Sequence, residues 1–186
     1  MIHNPDLLDK LASFKTESFE GHVYRATRRN LDPTAYSSWG GRCAPKDDSY
    51  PVLYTSLDAD GAIAEISYHW SLLVPRPSRP VILHTLQVTA SQTLRLIRAD
   101  LGALGVDLDR FGELDYNRTQ EIGSAVAFLD NDGLIVPSAR WECDNLILFE
   151  NSALKTQLDL VGEPREVDWQ AWCKANDRWE PEPDPG

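Results

Sequence analysis

The sequence predicts a single α+β domain with a mixed, strand-rich core. The chain has 186 residues, a length that suits one domain and allows a substantial buried core. Short apolar runs typical of strands outnumber the segments with helical periodicity. No internal repeat and no strong linker divides the chain, so we expect all of these elements to share one core.

The chain begins with a predicted short helix. Asn4 can cap it, and Pro5 suits its first turn. Its apolar face is formed by residues at helical spacing, namely Leu7, Leu8, Leu11 and Phe14. A predicted strand over His22 to Thr27 follows, and then a loop from Asn30 to Asp48 that contains glycines and prolines. A loop of this length inside one domain is often functional.

The middle of the chain is predicted as a strand, a helix and two further strands. Pro51 to Ser56 is a buried-looking strand. Asp58 or Asp60 then caps a helix whose apolar residues recur at helical spacing to its end, at Ile63, Ile66, Trp70 and Leu73. After a proline-rich segment, Val81 to Val88 and Thr93 to Ile97 are predicted as two separate strands.

The second half is predicted to be rich in strands. Asp100 to Asp115 contains three glycines and is expected to be irregular. A helix over Thr119 to Leu129 precedes a turn at Asn131-Asp132-Gly133. Three short strands follow, over Leu134 to Val136, Leu146 to Phe149 and Gln157 to Val161. A last helix contains Trp169, Trp172 and Trp179. The acidic, proline-rich tail from Pro181 to Gly186 is predicted to be disordered.

The charge balance excludes one broad class of function. Acidic residues number 29 and basic residues 18, which gives a formal net charge of −11. A general nucleic-acid surface needs a basic field to neutralise phosphates, so direct nucleic-acid binding is not expected. A few arginines in a cleft can still hold a small anionic ligand, and the acidic surface leaves room for a basic partner protein.

The cysteines and the N-terminus indicate a cytoplasmic protein without a metal site. Cys43, Cys143 and Cys173 lie far apart, and the four histidines do not stand at metal-ligand spacing from them. Reduced structural thiols are therefore expected. The N-terminus has no basic segment before a long apolar run, and no stretch approaches the length of a membrane span. We predict neither a signal peptide nor membrane insertion.

Two arginines beside the long loop are candidates for an anion site. Common motifs such as GxGxxG, the Walker loop, HExxH and GxSxG are missing. Arg25 lies inside a predicted strand, where a cation is costly unless it faces a cleft or an anion. Arg42 follows Gly40 and Gly41, which let the backbone turn sharply toward a ligand. A guanidinium donates two parallel hydrogen bonds to phosphate. A surface salt bridge is the simpler explanation for either arginine alone.

Glu65 is the candidate carboxylate. The predicted helix places it on the side of Ala62 and His69, close to the apolar stripe. Its carboxylate is then either solvated at the edge of that stripe or buried for a functional reason, and the pattern leaves both open. The preceding strand ends in Tyr54-Thr55-Ser56, which would present an aromatic ring and two hydroxyls at the mouth of the same cleft. Tyr54 taken alone would be a core tyrosine.

Seven short segments, in order along the chain, resemble the RES domain, a family named for an arginine, a glutamate and a serine. They are Tyr24-Arg25, Gly40-Gly41-Arg42, Val52-Leu53-Tyr54-Thr55-Ser56, Ala64-Glu65, Thr119-Gln120-Glu121-Ile122-Gly123, Gly133-Leu134-Ile135-Val136-Pro137-Ser138-Ala139-Arg140 and Asn145-Leu146-Ile147-Leu148-Phe149. The resemblance covers roughly Val23 to Phe149. It implies an N-terminal helical segment over residues 1–20, a RES-like catalytic domain over 21–162, a C-terminal helix over 163–180 and the tail over 181–186.

The resemblance implies a fold and an activity. Proteins of this family are similar in fold to ADP-ribosyltransferase toxins. Characterised members cleave NAD+ at the nicotinamide–ribose bond, as glycohydrolases or phosphorylases, and act as toxins of type II toxin–antitoxin pairs. NAD+ is then a substrate, with water or inorganic phosphate as the attacking group, and no further cofactor is implied. The usual partner is an Xre-type helix-turn-helix antitoxin that covers the active site.

Three alternatives stay open. An ADP-ribosyltransferase that modifies a macromolecule would use the same substrate. A non-catalytic module that binds NAD or ADP-ribose would keep the site without the reaction. The sequence also leaves a homo-oligomer open.

Family roles transfer to the residues that match its motifs. Arg25 and Arg42 match the arginines expected to hold the NAD+ diphosphate, and Arg25 is also expected to take part in catalysis. Tyr54 matches the aromatic residue expected near the nicotinamide, and Ser56 is expected to contribute to NAD+ binding. Glu65 matches the catalytic glutamate.

The family serine has no single counterpart in this sequence. Near the start of the second-half helix it would fall at Asn117 or Thr119, where Thr119 keeps a hydroxyl and Asn117 supplies a different hydrogen bond. Ser138 is the other candidate for the catalytic role. Two further departures are Cys43, where the family often has tryptophan, and Ala26, where an aromatic residue often follows the Tyr-Arg pair.

Overall fold

The computed structural model describes residues 3–46 and 50–179 of the chain. Its helices are α1 (Pro5–Ala12), α2 (Ala59–Ser71), α3 (Arg98–Ala103), α4 (Asn117–Phe128) and α5 (Trp169–Ala175), with a short 3-10 helix at Glu150–Ser152. Its strands are β1 (Thr16–Thr27), β2 (Val52–Ser56), β3 (Val81–Arg95), β4 (Gly133–Pro137), β5 (Asp144–Phe149) and β6 (Gln157–Val167). This mixture of helices and strands confirms the predicted strand-rich α+β class.

The six strands form one sheet in the order β1-β2-β5-β4-β3-β6. β1 also pairs with β3, so five strands form a closed circuit of pairings. The pairing of β3 with β4 is parallel and the other pairings are antiparallel. Because side chains alternate along a strand, each strand of the circuit has an inner and an outer face.

The alternation of side chains divides the core into two main parts. The inner faces form one buried cluster, which includes Val23, Leu53, Leu86, Ile135 and Leu146. The outer faces of β2, β4 and β5 pack against α1, α3 and α4 in a larger cluster, which includes Leu11, Val52, Leu101, Ile122, Leu134 and Phe149. α2 packs over β1 beside this outer face. The end of the outer face next to α2 is where the candidate site lies.

Some predicted boundaries were wrong. β3 is one continuous strand, because its polar middle is paired with β1 and because Asp132 accepts the backbone N–H groups of Ser91 and Gln92. The irregular segment contains α3, whose first turn is capped by Asp100. Asp58, and not Asp60, caps α2.

Both ends of the predicted domain also fall inside strands. Residue 21 lies within β1, which begins at Thr16, and residue 162 lies within β6, which extends to Val167. Trp179 lies beyond the end of α5. The tail that was predicted to be disordered is outside the described residues. Within residues 3–46 and 50–179, no helix combines the length and the apolar character that a membrane span requires.

Candidate active site

A cavity of about 310 Å³ lies between α2, β1 and the loop that contains Gly40 to Cys43. Neighbouring strands form one of its walls, since Asn145 of β5 pairs with Ser56 of β2 on one side and with Val136 of β4 on the other. Five of the residues predicted from the sequence line this cavity, namely Arg25, Arg42, Tyr54, Ser56 and Glu65. The structure therefore brings the two arginines, the aromatic ring and the carboxylate to one place.

Glu65 extends from α2 to this cavity, and two side chains hold its carboxylate. The hydroxyl of Ser138 donates to Oε1 over 2.7 Å, and the side-chain amide of Asn145 donates to the same oxygen over 2.9 Å. Hydrogen bonds to an ionised carboxylate are strong and directional, so this pair keeps the group in one orientation. Among the hydrogen bonds of the described residues, none falls on Oε2, which leaves that oxygen for a ligand.

The surroundings of Ser138 determine where its proton points. The backbone N–H groups of Arg140 and Trp141 donate to its hydroxyl oxygen over 3.0 and 3.2 Å. A hydroxyl has one proton and two acceptor lone pairs. Because both lone pairs are occupied, the proton is directed to Glu65. Ser138 is only 2% exposed, so the hydroxyl acts on the carboxylate rather than on a solvent-borne ligand.

Asn145 was not predicted as a site residue. It lies near the start of β5, between Ser56 and Val136 in the sheet register, and it lines the cavity. Its amide nitrogen donates to Glu65, whereas its buried Oδ1 has no hydrogen-bond partner among the described residues. The available signal was a polar residue directly before the apolar run Leu146 to Phe149. That signal is weak, because polar residues commonly flank buried strands.

Arg25 is held at the cavity by the backbone of the long loop. Its Nη1 donates to the carbonyl oxygens of Pro33 and Ala35, both over 3.0 Å. Burial lowers the pKa of the Arg25 guanidinium to about 10, although the nearby Asp32 carboxylate opposes this shift. No carboxylate lies within ion-pair distance of Arg25 among the described residues. Arg25 is therefore a partly desolvated cation that feels the Asp32 carboxylate at a distance but forms no direct ion pair among the described residues.

Arg42 is a second partly desolvated cation at the cavity. Its guanidinium lies over two aromatic rings, 4.6 Å from the centre of Tyr116 and 4.7 Å from that of Phe111. Its guanidinium also donates a long hydrogen bond, from Nη2 to the carbonyl of Glu113 over 3.4 Å. Burial lowers the pKa of Arg42, and the described part of the chain offers it no ion pair. A surface salt bridge, the simpler explanation for each arginine, is therefore absent from the described residues for both Arg25 and Arg42.

Two glycines allow the loop to present Arg42. Gly40 has a φ of +79°, which glycine adopts without strain. A side chain at Gly41 would meet the Tyr54 hydroxyl at 2.7 Å, so only glycine leaves room for that ring. The Tyr54 hydroxyl accepts the backbone N–H of Cys43 over 3.1 Å. Tyr54 thus holds the loop with its hydroxyl while its ring lines the cavity.

The first turns of α4 hold the same loop from the other side. The hydroxyl of Thr119 donates to the carbonyl of Arg42 over 2.5 Å, and the amide of Gln120 donates to the carbonyl of Gly41 over 2.9 Å. A side chain at Gly123 would meet the carbonyl oxygen of Cys43 at 1.9 Å, which explains the glycine. The Thr119-to-Gly123 segment therefore holds the loop against α4.

The three candidates for the family serine lie in different places. Ser138 contacts Glu65. Thr119 is 5% exposed, lies behind the loop and does not line the cavity. Asn117 is exposed at the start of α4, where its amide donates to Asp115, and it does not line the cavity either. Among these three, Ser138 is the residue that the structure brings to the carboxylate.

Ser56 and two cysteines are further polar groups at or next to the cavity. Ser56 is 1% exposed and lies 3.3 Å from the thiol of Cys143. Burial raises the pKa of the Cys43 thiol to about 12 and also raises that of Cys143. Both thiols are therefore protonated at neutral pH, and neither is an activated nucleophile. Within the described residues, no group of three or more His, Cys, Asp or Glu side chains could hold a metal ion.

The fold and the cavity define an α+β protein in which two arginines and an oriented carboxylate line one cavity. The sequence model that defines the RES domain family matches residues 22–170 of this chain. The chain therefore belongs to the RES domain family. A comparison with curated proteins gives no match. Among solved structures, the chain resembles one chain in the crystal structure of the M. tuberculosis MbcT-MbcA toxin–antitoxin complex, with a TM-score of 0.77 and 21% identity. The match covers 92% of this chain and 97% of that one, and it supports the fold.

Proposed function

We propose that this protein cleaves the nicotinamide–ribose bond of NAD+, as a glycohydrolase or a phosphorylase. The observation that carries the proposal is the pairing of one oriented carboxylate, Glu65, with two partly desolvated arginines in the same cavity. NAD+ offers a partner for each feature, since its diphosphate is anionic and the bond to its nicotinamide breaks with positive charge developing on a ribose ring.

The two arginines are suited to the diphosphate. Arg25 and Arg42 line the cavity, and neither forms an ion pair among the described residues. A guanidinium that is partly withdrawn from water gains most from an anionic ligand, because the ligand restores the interactions lost on burial. Holding the diphosphate at this point would keep the attached ribose in the cavity that Glu65 also lines.

Glu65 is suited to the reacting centre. Nicotinamide in NAD+ is already cationic at its ring nitrogen, so it leaves without protonation and needs no general acid. The ribose then acquires oxocarbenium character, which a nearby carboxylate stabilises. Ser138 and Asn145 hold Oε1, which leaves Oε2 to face the ribose. The ring of Tyr54 lines the cavity and would pack against the nicotinamide.

Membership of the RES family supports a biological role for this activity. The solved structure that the chain resembles is described as part of a toxin–antitoxin complex. We propose that this protein is the toxin of such a pair and that an Xre-type helix-turn-helix antitoxin covers its cavity. The net charge of −11 would complement a basic partner surface. Induced expression should then lower cellular NAD+ and arrest growth, and co-expression of the antitoxin should restore both.

Incubation of the purified protein with NAD+ labelled in its adenosine half tests the reaction class. The proposal predicts free nicotinamide together with ADP-ribose in buffer without phosphate, or ADP-ribose 1″-phosphate when inorganic phosphate attacks. Label transferred to a macromolecule would instead indicate an ADP-ribosyltransferase. Binding of NAD+ without release of nicotinamide would indicate a non-catalytic module. Either of these two outcomes would overturn the proposal.

A further inference from the structure

A second cavity lies on the opposite face of α2. Its volume is about 450 Å³, and it is enclosed by α2, the segment after β4, α5 and the turn that follows α5. The α2 residues that line it are Ala64, Ser67, Tyr68 and Ser71. Those that line the first cavity are Ala62, Glu65, Ile66 and His69. At 3.6 residues per turn these two sets lie on opposite sides of the helix, so the cavities are separate.

The wall of this second cavity contains two buried polar atoms without a hydrogen-bond partner among the described residues. They are Nη2 of Arg140 and the hydroxyl oxygen of Ser67. Ser67 is 2% exposed, and the polar group beside it is the thiol of Cys173, which forms only weak hydrogen bonds. Unpaired buried polar groups are uncommon and costly, so their presence on one cavity indicates a missing acceptor.

Two arginines make the second cavity locally cationic. The Arg140 guanidinium lies 3.3 Å from the centre of the Tyr68 ring, and that of Arg178 lies 5.0 Å from the centre of Trp141. Neither arginine forms an ion pair within the described ranges of the chain. Asp177 also lines the cavity and reduces the net charge, but it too is unpaired there. The lining therefore has two positive charges against one negative charge, in a chain that is acidic as a whole.

We propose that the second cavity binds a small organic phosphate. The guanidinium fork of Arg140 and the charge of Arg178 suit a phosphate group, and the Ser67 hydroxyl adds a neutral donor. The cavity is larger than a bare phosphate requires. Its remaining wall includes the rings of Tyr68 and Trp172, which suit the organic part of the ligand.

This second site is connected to the first through two hydrogen bonds. The backbone N–H of Arg140 donates to the hydroxyl of Ser138, and that hydroxyl donates to Glu65. A ligand that draws Arg140 toward the second cavity would therefore act on the group that orients Glu65. The binding itself does not depend on the activity of the first site, so it is tested by binding measurements.

The test is a titration of the protein with phenyl phosphate, in which binding is measured by calorimetry and by tryptophan fluorescence. Measurements in an Arg25→Ala, Arg42→Ala background, and in Arg42→Ala alone, lower the anion affinity of the first cavity, because both arginines line it. Arg178→Gln and Ser67→Ala, combined in that background, should weaken phenyl phosphate binding by at least about tenfold, because each change removes a donor to the phosphate. Arg165→Gln, a substitution on the edge strand β6, is the matched control and should leave the affinity unchanged.

Three outcomes would overturn the proposal. If Arg42→Ala alone abolishes phenyl phosphate binding, the ligand binds in the first cavity. Equal affinity in the Arg178→Gln, Ser67→Ala protein and its parent would show that these groups do not hold the ligand. Inorganic phosphate that binds as tightly as phenyl phosphate would exclude a role for the organic part. Arg178 is exposed, so Arg178→Gln alone, with its melting temperature recorded, keeps the test decisive if the combined variant does not fold.

Discussion

Two walls of the candidate active site are held in place by different kinds of contact. The carboxylate wall, formed by Glu65, Ser138 and Asn145, depends on hydrogen bonds between side chains. The arginine wall, formed by Arg25 and Arg42, depends on backbone carbonyls and on packing with aromatic rings. The orientation of Glu65 therefore depends on neighbouring side chains, whereas the orientation of the two arginines depends mainly on the loops and rings around them.

Two departures from the family pattern bear on the second wall. Cys43 and Ala26 replace residues that are often aromatic in the family, and both lie beside the arginine wall. Cys43 takes part through its backbone, since its N–H bonds to Tyr54 and its carbonyl packs against Gly123. A backbone contact does not require a particular side chain. The loop can thus keep its shape with a cysteine at position 43.

Apart from substitutions of Glu65 itself, the largest effect is expected when the arginine wall loses a cation. Arg42→Ala removes a charged, forked donor, and we expect kcat/KM for NAD+ to fall by about 100-fold, mostly through KM. Arg42→Lys keeps the charge without the fork and should retain part of the affinity. Steady-state kinetics measure both variants. A fall in kcat with unchanged KM would contradict the assignment of Arg42 to substrate binding.

In the carboxylate wall, substitutions are expected to lower kcat rather than to raise KM. Ser138→Ala removes the donor to Glu65 and leaves two backbone N–H groups without an acceptor, so we expect kcat to fall by about 10- to 100-fold with KM little changed. Asn145→Ala should act in the same direction. The same kinetic assay distinguishes the walls. If Ser138→Ala changed only KM, its role in orienting the catalytic carboxylate would have to be abandoned.

A stability effect is expected where α4 meets the loop. Gly123→Ala places a methyl group against the carbonyl of Cys43, so the free energy of unfolding should decrease by about 1–3 kcal/mol. Gly21→Ala in β1 makes only an ordinary contact and serves as the control. Urea denaturation of both variants gives the comparison. Equal stabilities would show that the loop can move away from α4 without cost.

The smallest effect is expected from Gln120, whose side chain helps to hold the loop against α4. Gln120→Ala removes the hydrogen bonds to the carbonyls of Gly41 and Ala44, and we expect KM to rise about three- to tenfold because the loop holds Arg42 less firmly. Glu121→Gln, on the exposed neighbouring position, is the matched control. A KM that stays at the parent value would mean that Thr119 and Tyr54 suffice to hold the loop.

The sequence predicted much of the arginine wall because its signals are local. A pair of glycines before Arg42 indicates a tight loop, and a strand that leads into a capped helix places Tyr54 and Glu65 at one end of the fold. The carboxylate wall was less predictable. Ser138 and Asn145 are 73 and 80 positions away from Glu65, and only the order of β2, β5 and β4 brings them together.

The same reasoning applies to the errors in the fold. The prediction had two strands in place of β3 because Thr89 to Gln92 lacks a strand pattern. In the structure, pairing with β1 and the hydrogen bonds to Asp132 hold this stretch in one continuous strand. The predicted strand ended at Val161, directly before Gly162, and glycine weakens a strand interior. In the structure β6 continues through Gly162, which has a φ of +68° in this edge strand. Long-range pairing, rather than local propensity, decides both cases.

The central claim is that Glu65 performs the chemistry while the arginines hold the substrate. Glu65→Gln tests it most directly, because glutamine keeps the size of the side chain and an oxygen that can accept from Ser138 and Asn145 but removes the charge. Calorimetry of NAD+ binding and release of nicotinamide should be measured on the parent and on this variant. We expect the variant to bind NAD+ with near-parent affinity and to release nicotinamide at least about 100-fold more slowly. Nicotinamide release at the parent rate would contradict the account.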